Sequence, residues 1–144
     1  MITFKFVCPK FPNVNHSKTL HNGRFILTDS TRKFKEYIAL AAKSQLKDFA
    51  EFAASLRAFD PTRHYISAEY MFYTPNMFTK EGKISQRKGD WDGNIKYVQD
   101  SCMAALGIDD SFILDATVKQ YQSKSFDEVF VCIYRVCYLD SRFS

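Results

Sequence analysis

The stretch that decides the fold runs from residue 89 to residue 110 and reads GDWDGNIKYVQDSCMAALGIDD. From Asn94 onward its apolar residues recur at steps of three and four, which predicts an amphipathic helix that ends at Gly107. The residues before Asn94 are polar and rich in glycine, so we predict an extended segment there. The predicted helix therefore joins one acidic cluster before its start to another after its end.

These acidic clusters have the composition of a site for a divalent cation. Asp90 and Asp92 alternate in the predicted extended segment, where residues two apart point the same way, and the helix returns the chain to Asp109 and Asp110. Carboxylates about 4 Å apart repel by about 1 kcal/mol in water and about 4 kcal/mol at an effective dielectric near 20, which a bound cation offsets. Oxygen ligands, without Cys or His at a coordinating interval, favour Mg²⁺ or Mn²⁺ over zinc.

The same residues also have an ordinary structural interpretation. Acidic residues that precede a helix commonly cap its N-terminus, and an Asp-Asp pair that follows a glycine is typical of a turn. The spacing alone leaves both interpretations open, one with a bound cation and one with caps and turns only.

Cationic residues surround the acidic positions in the sequence. Lys96 follows Asp92 by four residues, so on a helix its ammonium group can neutralise a carboxylate or contact a phosphate. The predicted loop at 76–89 carries four further cations, Lys80, Lys83, Arg87 and Lys88. A basic loop beside carboxylates suits phosphodiester chemistry, because cations hold a polyanion and carboxylates hold the ion that activates it. A loop that only improves solubility is the alternative.

The composition is that of one ordinary domain that spans residues 1–144. A chain of this length buries about 68 to 70% of its unfolded surface. Its hydrophobic content of 46%, with 14 Phe and 8 Tyr, supports a packed core. The net charge of +4 hints at a polyanionic partner. The sequence shows no long uncharged apolar run, no signal peptide and no CxxC among its four cysteines, so we expect a cytoplasmic protein with no membrane partner.

The remaining pattern predicts an α+β fold, a mixed β-sheet with two main helices packed on it. Besides the helix at 94–106, a long helix is predicted from Asp29 to Phe59, before Asp60-Pro61. Alternating residues predict strands at 2–7, 25–27, 65–73, 117–122 and 129–136. The last two strands are expected to form a hairpin, and the final strand, apolar on both faces, to be central in the sheet.

The acidic and basic positions together resemble the RusA family of Holliday junction resolvases, the crossover junction endodeoxyribonucleases. The matching positions are Asp90-x-Asp92, Lys96, Asp100, Gly107, Asp109-Asp110 and Asp115. A weaker similarity runs through the Pro12-x-x-Asn15 turn and the last hairpin. Gly93 stands where the family usually has Asn, with Asn94 one place later, and the interval to Asp109 is one residue shorter.

The resemblance implies a Mg²⁺-dependent endonuclease, with Mn²⁺ as a possible substitute, that resolves four-way junctions or other branched DNA in recombination and repair. It implies that Asp90, Asp92 and Asp110 hold the metal and that Lys96 acts with them in catalysis. The residues expected to bind DNA are Asn15, Lys80, Lys83, Arg87 and Lys88. It also implies a homodimer in a bacterial or phage-infected cell, because two symmetric cuts take two sites related by a two-fold axis.

Two other functions are compatible with the fold class. A catalytically inactive RusA-like protein that binds DNA or acts as a scaffold is favoured by the displaced Asn94. An unrelated α+β enzyme that uses its carboxylates for acid-base chemistry fits less well, because Asp90 and Asp92 share one extended face and have no evident means of separating their pKa values.

Overall fold

The computed structural model describes residues 1–8, 18–21, 23–27, 29–85 and 91–138, and within these ranges strands alternate with helices. The strands are β1 (Ile2–Cys8), β2 (Lys18–His21), β3 (Arg24–Leu27), β4 (His64–Thr74), β5 (Ile113–Gln122) and β6 (Asp127–Cys137). The α-helices are α1 (Asp29–Leu46), α2 (Ala50–Arg57) and α3 (Trp91–Leu106). None of these described helices is both long and apolar enough to cross a lipid bilayer.

Four strands form one mixed sheet in the order β1-β6-β4-β5. Strand β6 pairs antiparallel with both β1 and β4, whereas β4 and β5 run parallel. Strands β2 and β3 form a separate antiparallel hairpin. The predicted α+β fold with a mixed sheet is confirmed, and β6 is central as its two apolar faces indicated.

The hydrophobic core lies on one face of this sheet. Along β4, Ile66, Ala68 and Tyr70 are fully buried while the intervening Glu69 is exposed, as the period of two predicts. Helices α1 and α3 cover the buried face with Phe34, Ile38, Ala42, Val98, Cys102 and Leu106. The other face carries exposed charged residues, among them Lys5, Glu69 and Lys119. The α-helical layer of the described structure therefore lies on one side of the sheet.

The two edges of the sheet differ in how far side chains cover them. At the β1 edge, Gln45 of α1 accepts a hydrogen bond from the Lys5 N–H and donates one to the Lys5 carbonyl, each at 2.7 Å. Tyr37 donates to the Val7 carbonyl at 2.7 Å. These side chains satisfy backbone groups that could otherwise pair with another strand. At the opposite edge β5 is largely exposed, with Leu114 at 61%.

The long helix predicted from Asp29 to Phe59 is wrong in one respect, because the structure divides it. Helix α1 ends at Leu46, a 3-10 turn spans Lys47–Phe49, and α2 begins at Ala50. Leu46 and Leu56 are both buried. Because apolar residues continue at helical spacing across the turn, periodicity did not reveal the break.

The predicted hairpin between the last two strands is also wrong. Strands β5 and β6 follow each other in the chain, but β4 lies between them and pairs with both. A polar turn predicts that the chain reverses direction, and it leaves open whether the two strands become direct neighbours. Here β4, which pairs in parallel with β5, lies where β6 would lie in a hairpin.

The one-sided core predicts unequal costs for two substitutions in α1. Ile38 is fully buried, whereas Leu40 is 70% exposed on the same helix. We expect Ile38→Ala to lower the free energy of unfolding by about 2 to 5 kcal/mol, because it removes packed atoms and leaves a cavity. Leu40→Ala should change it by about 0.5 kcal/mol or less. Urea unfolding measures both, and equal losses would contradict the helix orientation.

Candidate active site

Helix α3 begins at Trp91, three residues before the predicted start at Asn94. Asp92 therefore lies in the first helical turn, and the extended segment predicted for it is wrong. Buried Val98 and Cys102 anchor the helix, and this packing outweighs the cost of about 1 kcal/mol for a glycine within it. Asp90 lies outside the described residues, and the side chain of Asp92 is likewise not described.

The register of α3 places three charged positions on one face. Asp92, Lys96 and Asp100 follow at steps of four, so they lie above one another along the helix. Lys96 is exposed and Asp100 is partly buried. The helical relation predicted between Asp92 and Lys96 holds although the helix starts earlier than expected.

A glycine turn brings the second acidic cluster back beside α3. The Ile108 N–H donates to the Met103 carbonyl at 3.1 Å, and the Gly107 N–H donates to the Ala104 carbonyl at 3.2 Å. This is the Schellman arrangement, which needs a residue in the left-handed conformation, and Gly107 has φ of 72°. The prediction that Gly107 ends the helix is confirmed.

Asp109 and Asp110 have different roles after this turn. The Asp109 carboxylate accepts the Ser111 N–H at 2.8 Å and caps a 3-10 turn at Asp110–Phe112. Hydrogen bonds from the side chain and backbone of Ser111 lower the pKa of Asp109. Asp109 thus stabilises the turn, and the turn places Asp110 next to α3.

The carboxyl groups of Asp100 and Asp110 meet at this point. Burial is the largest cause that raises the pKa of Asp100. The charge of Asp110 and a hydrogen bond between the two side chains raise it further. Lys96 and Lys35 partly offset this increase. Lys35 belongs to α1, and its ammonium lies 5.5 Å from the ring centroid of Tyr97 on α3. Two carboxyl groups, which could be metal ligands, are therefore held together with two lysines nearby.

A buried tyrosine supports this carboxyl pair from the sheet. The Tyr70 hydroxyl donates to Gln99 Oε1 at 2.7 Å, and Gln99 Nε2 makes a long contact of 3.5 Å with Asp110 Oδ2. Burial, and then the charges of Cys102, Asp110 and Asp100, raise the pKa of Tyr70, so its phenol stays protonated as a donor. Sequence reasoning missed Gln99. The available signal was Tyr70 itself, because a tyrosine on an apolar strand face needs a partner for its hydroxyl.

The predicted metal ligands are only partly described. Asp110 lies in the site, but Asp90 and the Asp92 side chain cannot be placed. In the described ranges no group of three or more His, Cys, Asp or Glu could hold a metal ion. The metal site formed by Asp90, Asp92 and Asp110 stays a prediction. Asp100, which matches the family pattern without an assigned role, lies near Asp110, and burial together with the charge of Asp110 raises its pKa.

Two of the predicted DNA-binding lysines lie on a short hairpin within the loop after β4. The Thr79 N–H donates to the Lys83 carbonyl at 2.7 Å, and Phe78 pairs with Ile84 in an isolated β-bridge. Lys80 and Lys83 are exposed on it. Phe78 and Ile84 are 50% and 64% exposed. Three further predicted contacts lie outside the described residues, namely Asn15, Arg87 and Lys88.

These features define a class, an α+β domain that presents paired carboxyl groups between lysines, with more lysines in the loop before the site helix. A family model described as Endodeoxyribonuclease RusA matches residues 9–134. The chain therefore belongs to the RusA endodeoxyribonuclease family, and the resemblance seen between Asp90 and Asp115 is confirmed. No curated protein matches the chain significantly.

The Asp100–Asp110 pair predicts a pH-dependent gain in stability for Asp100→Asn. A raised pKa means that the folded protein holds the proton more tightly, so folding loses stability as the pH rises from 3.8 through the folded pKa. The substitution removes a partly buried charge and its repulsion by Asp110, and with solvent screening it should stabilise the fold by up to about 1 kcal/mol at pH 7.5. The gain should vanish toward pH 4.

Urea unfolding in the presence of a chelator, from pH 4 to pH 8, measures this difference. Glu81→Gln is the matched control, because it removes one exposed carboxylate from the hairpin after β4. A destabilised Asp100→Asn protein at pH 7.5 would contradict the carboxyl pair.

Proposed function

We propose that this protein is a Mg²⁺-dependent, structure-specific endodeoxyribonuclease that resolves Holliday junctions or other branched DNA. One observation carries the proposal, the close approach of Asp100 and Asp110 beside Lys96 within the region that matches the family. Such a pair of carboxyl groups is costly unless a proton or a cation lies between them.

The side chains of the site are suitable ligands for a hard divalent cation. The described part of the site supplies carboxyl oxygens, without thiolate or imidazole, which is the set that Mg²⁺ and Mn²⁺ prefer. Asp110 would hold the ion together with Asp90 and Asp92, and Asp100 adds a further carboxyl group that was not among the predicted metal ligands. The bound ion would supply Lewis-acid activation of water and charge neutralisation at the phosphate.

The other residues bind and orient. Lys96 extends its exposed ammonium from α3 and would hold a phosphate oxygen, where it also stabilises charge that develops during cleavage. Gln99, itself fixed by Tyr70, restricts the orientation of the Asp110 carboxylate. Lys80 and Lys83 would contact backbone phosphates, which position DNA without reading its sequence. We also propose a homodimer, since resolving a junction takes two symmetric cuts.

A catalytically inactive DNA-binding or scaffold protein is the second candidate. It is favoured by Asn94, which is displaced by one place from the family pattern and is only 4% exposed in α3. Trp91 is the only tryptophan and lies beside Asp92 in the chain. An active site should therefore change the tryptophan fluorescence when Mg²⁺ is added, whereas an inactive site should leave it unchanged.

Substitutions in the adjacent acidic pair should separate catalysis from structure. Asp110→Asn should lower Mg²⁺-dependent cleavage of a synthetic four-way junction by at least about 100-fold, because it removes a metal ligand, and Asp92→Asn should do the same. Asp109→Asn should stay within about threefold, because asparagine caps a turn as well as aspartate does. Cleavage under single-turnover conditions and binding by gel shift measure both steps. Full cleavage by Asp110→Asn would refute the site.

The hairpin lysines should carry part of the salt dependence of DNA binding. For Lys80→Glu/Lys83→Glu we expect weaker junction binding and a salt slope reduced by about two, one for each lost phosphate contact. Lys33→Glu/Lys43→Glu on α1 is the control with the same charge change at exposed positions. Fluorescence anisotropy at several salt concentrations measures the slopes. Equal effects of the two pairs would show that only net charge matters.

A further inference from the structure

The loop after β4 contains a hairpin with a defined register. The Thr79 N–H donates to the Lys83 carbonyl at 2.7 Å, and the Gly82 N–H donates to the Thr79 carbonyl at 3.0 Å. Gly82 has φ of 81°, in the left-handed region, which matches the common three-residue hairpin loop. The Ser85 N–H donates to the Met77 carbonyl at 2.9 Å and extends the pairing. The side chains of this hairpin therefore have fixed faces.

The base of the hairpin is held at the end of the main sheet. Gln122, the last residue of β5, accepts a hydrogen bond from the Met77 N–H at 3.2 Å and donates one to the Pro75 carbonyl at 2.6 Å. Ser85 and Trp91 are six positions apart in the chain. Their Cα atoms are therefore separated by at most about 22 Å. The hairpin thus has an anchored position within reach of the start of the site helix α3.

Two large apolar side chains lie together on one face of the hairpin. Phe78 and Ile84 pair directly across its two strands. Hydrogen bonds join the residue pairs on either side of them, so theirs is a non-hydrogen-bonded pair, in which the side chains approach most closely. Phe78 is 50% exposed and Ile84 is 64% exposed. Single exposed apolar residues are common on protein surfaces, but this pair forms a small continuous apolar surface.

Cations lie beside this apolar pair. Lys80 is in the hairpin turn, Lys83 adjoins Ile84 in the chain, and both lysines are exposed. Glu81 is the single acidic residue of the segment 76–85. Two side chains are far fewer than the 20 to 30 residues that each partner contributes to a standard protein interface. Apolar groups next to cations instead suit a nucleic acid, which presents base faces beside phosphates.

We propose that Phe78 and Ile84 contact bases at the branch point of DNA, by packing against the base pair that ends an arm, while Lys80 and Lys83 hold phosphates next to it. This role rests on the proposed function, because it assumes that branched DNA is the substrate. It deepens that function by naming the two residues that distinguish a branch point from a continuous duplex.

The selectivity follows from base stacking. In a continuous duplex both faces of each base pair are covered by neighbouring pairs, so an inserted side chain must first unstack a step, which costs free energy. At a branch point the base pair that ends an arm can present one face. Phe78 can stack on such a face, and Ile84 can pack beside it, without that cost. The apolar pair should therefore strengthen binding to branched DNA in particular.

Binding in the presence of a chelator, where metal-dependent cleavage cannot occur, tests this role. The probes are a synthetic four-way junction and a linear duplex with the sequence of two of its arms. F78A/I84A should weaken junction binding by at least about tenfold and leave duplex binding within about twofold, because only the stacking contact is lost. Phe78→Tyr retains the ring and should keep the preference. Leu40→Ala, at a residue 70% exposed on α1, is the control and should change neither affinity.

The salt dependence of binding separates base contact from a role within the hairpin. A cross-strand apolar pair also stabilises a hairpin, and its loss could displace the lysines. F78A/I84A would then weaken binding to both DNAs and lower both salt slopes, because phosphate contacts would be lost. Stacking on a base releases no counterion, so we expect unchanged slopes. Fluorescence anisotropy at several salt concentrations measures them.

A fluorescent base reports the contact directly. 2-Aminopurine placed next to the branch point should change its emission when the unchanged protein binds, because its fluorescence depends on stacking. F78A/I84A, added until the junction is saturated, should not produce this change. The same base in the middle of an arm is the control for effects of binding elsewhere.

The outcomes separate this inference from the proposed function. Equal losses on junction and duplex, or no loss on either, overturn the role of Phe78 and Ile84, even if the protein cleaves junctions. A free protein whose dimer dissociates in F78A/I84A, as measured by sedimentation equilibrium, also overturns it, because the pair would then contact a second copy. A selective loss of junction binding supports the inference, even if no Mg²⁺-dependent cleavage is found and the proposed nuclease activity fails.

Discussion

The packing of α3 on β4 is the contact on which the site depends. The apolar face of α3 is buried on the core side of β4, and this fixes the distance from the sheet to the carboxyl groups above it. Tyr70 belongs to both layers, because its ring is fully buried in the core and its hydroxyl reaches Gln99 on α3. A shift of α3 along the sheet would therefore break a hydrogen bond as well as core contacts. The core and the site are held by the same residues.

The second constraint is the return of the chain after α3. Gly107 reverses the direction at the helix end, and Asp109 stabilises the short turn that follows. These two residues make no contact with a substrate in our proposal, yet they bring Asp110 within hydrogen-bonding reach of Asp100, ten residues earlier in the chain. A carboxyl pair built this way combines a helix with a turn, so its separation is set by backbone geometry and not by side-chain choice alone.

Periodicity made much of the fold predictable. Ile66, Ala68 and Tyr70 alternate along β4, and the apolar residues of α3 recur at helical spacing. Each pattern indicates one buried face, and in the structure both faces contribute to the core. Strand adjacency was not predictable, because the turn after β5 does not indicate that β4 inserts between β5 and β6. The start of α3 was missed because Gly93 and polar neighbours disfavour a helix locally, while the contacts that stabilise it lie later in the helix.

The site was predictable in residue type but not in pairing. Sequence spacing identified Asp110 and Lys96, and Asp100 was among the positions that match the family pattern without an assigned role. The structure places Asp100 near Asp110, because the Schellman turn brings the second carboxyl group closer than the sequence interval indicates.

Such an arrangement lowers the stability of the chain at neutral pH, since two acidic groups are held together against their repulsion. Such a loss of stability is tolerated where a bound ligand offsets it. A cation that binds the folded state more tightly than the unfolded state stabilises the fold. The paired acids, the lysines around them and the family match all favour a phosphate-containing ligand with its metal ion. The position of Asp100 is thus the structural detail that most directly connects the stability of this fold to its proposed chemistry.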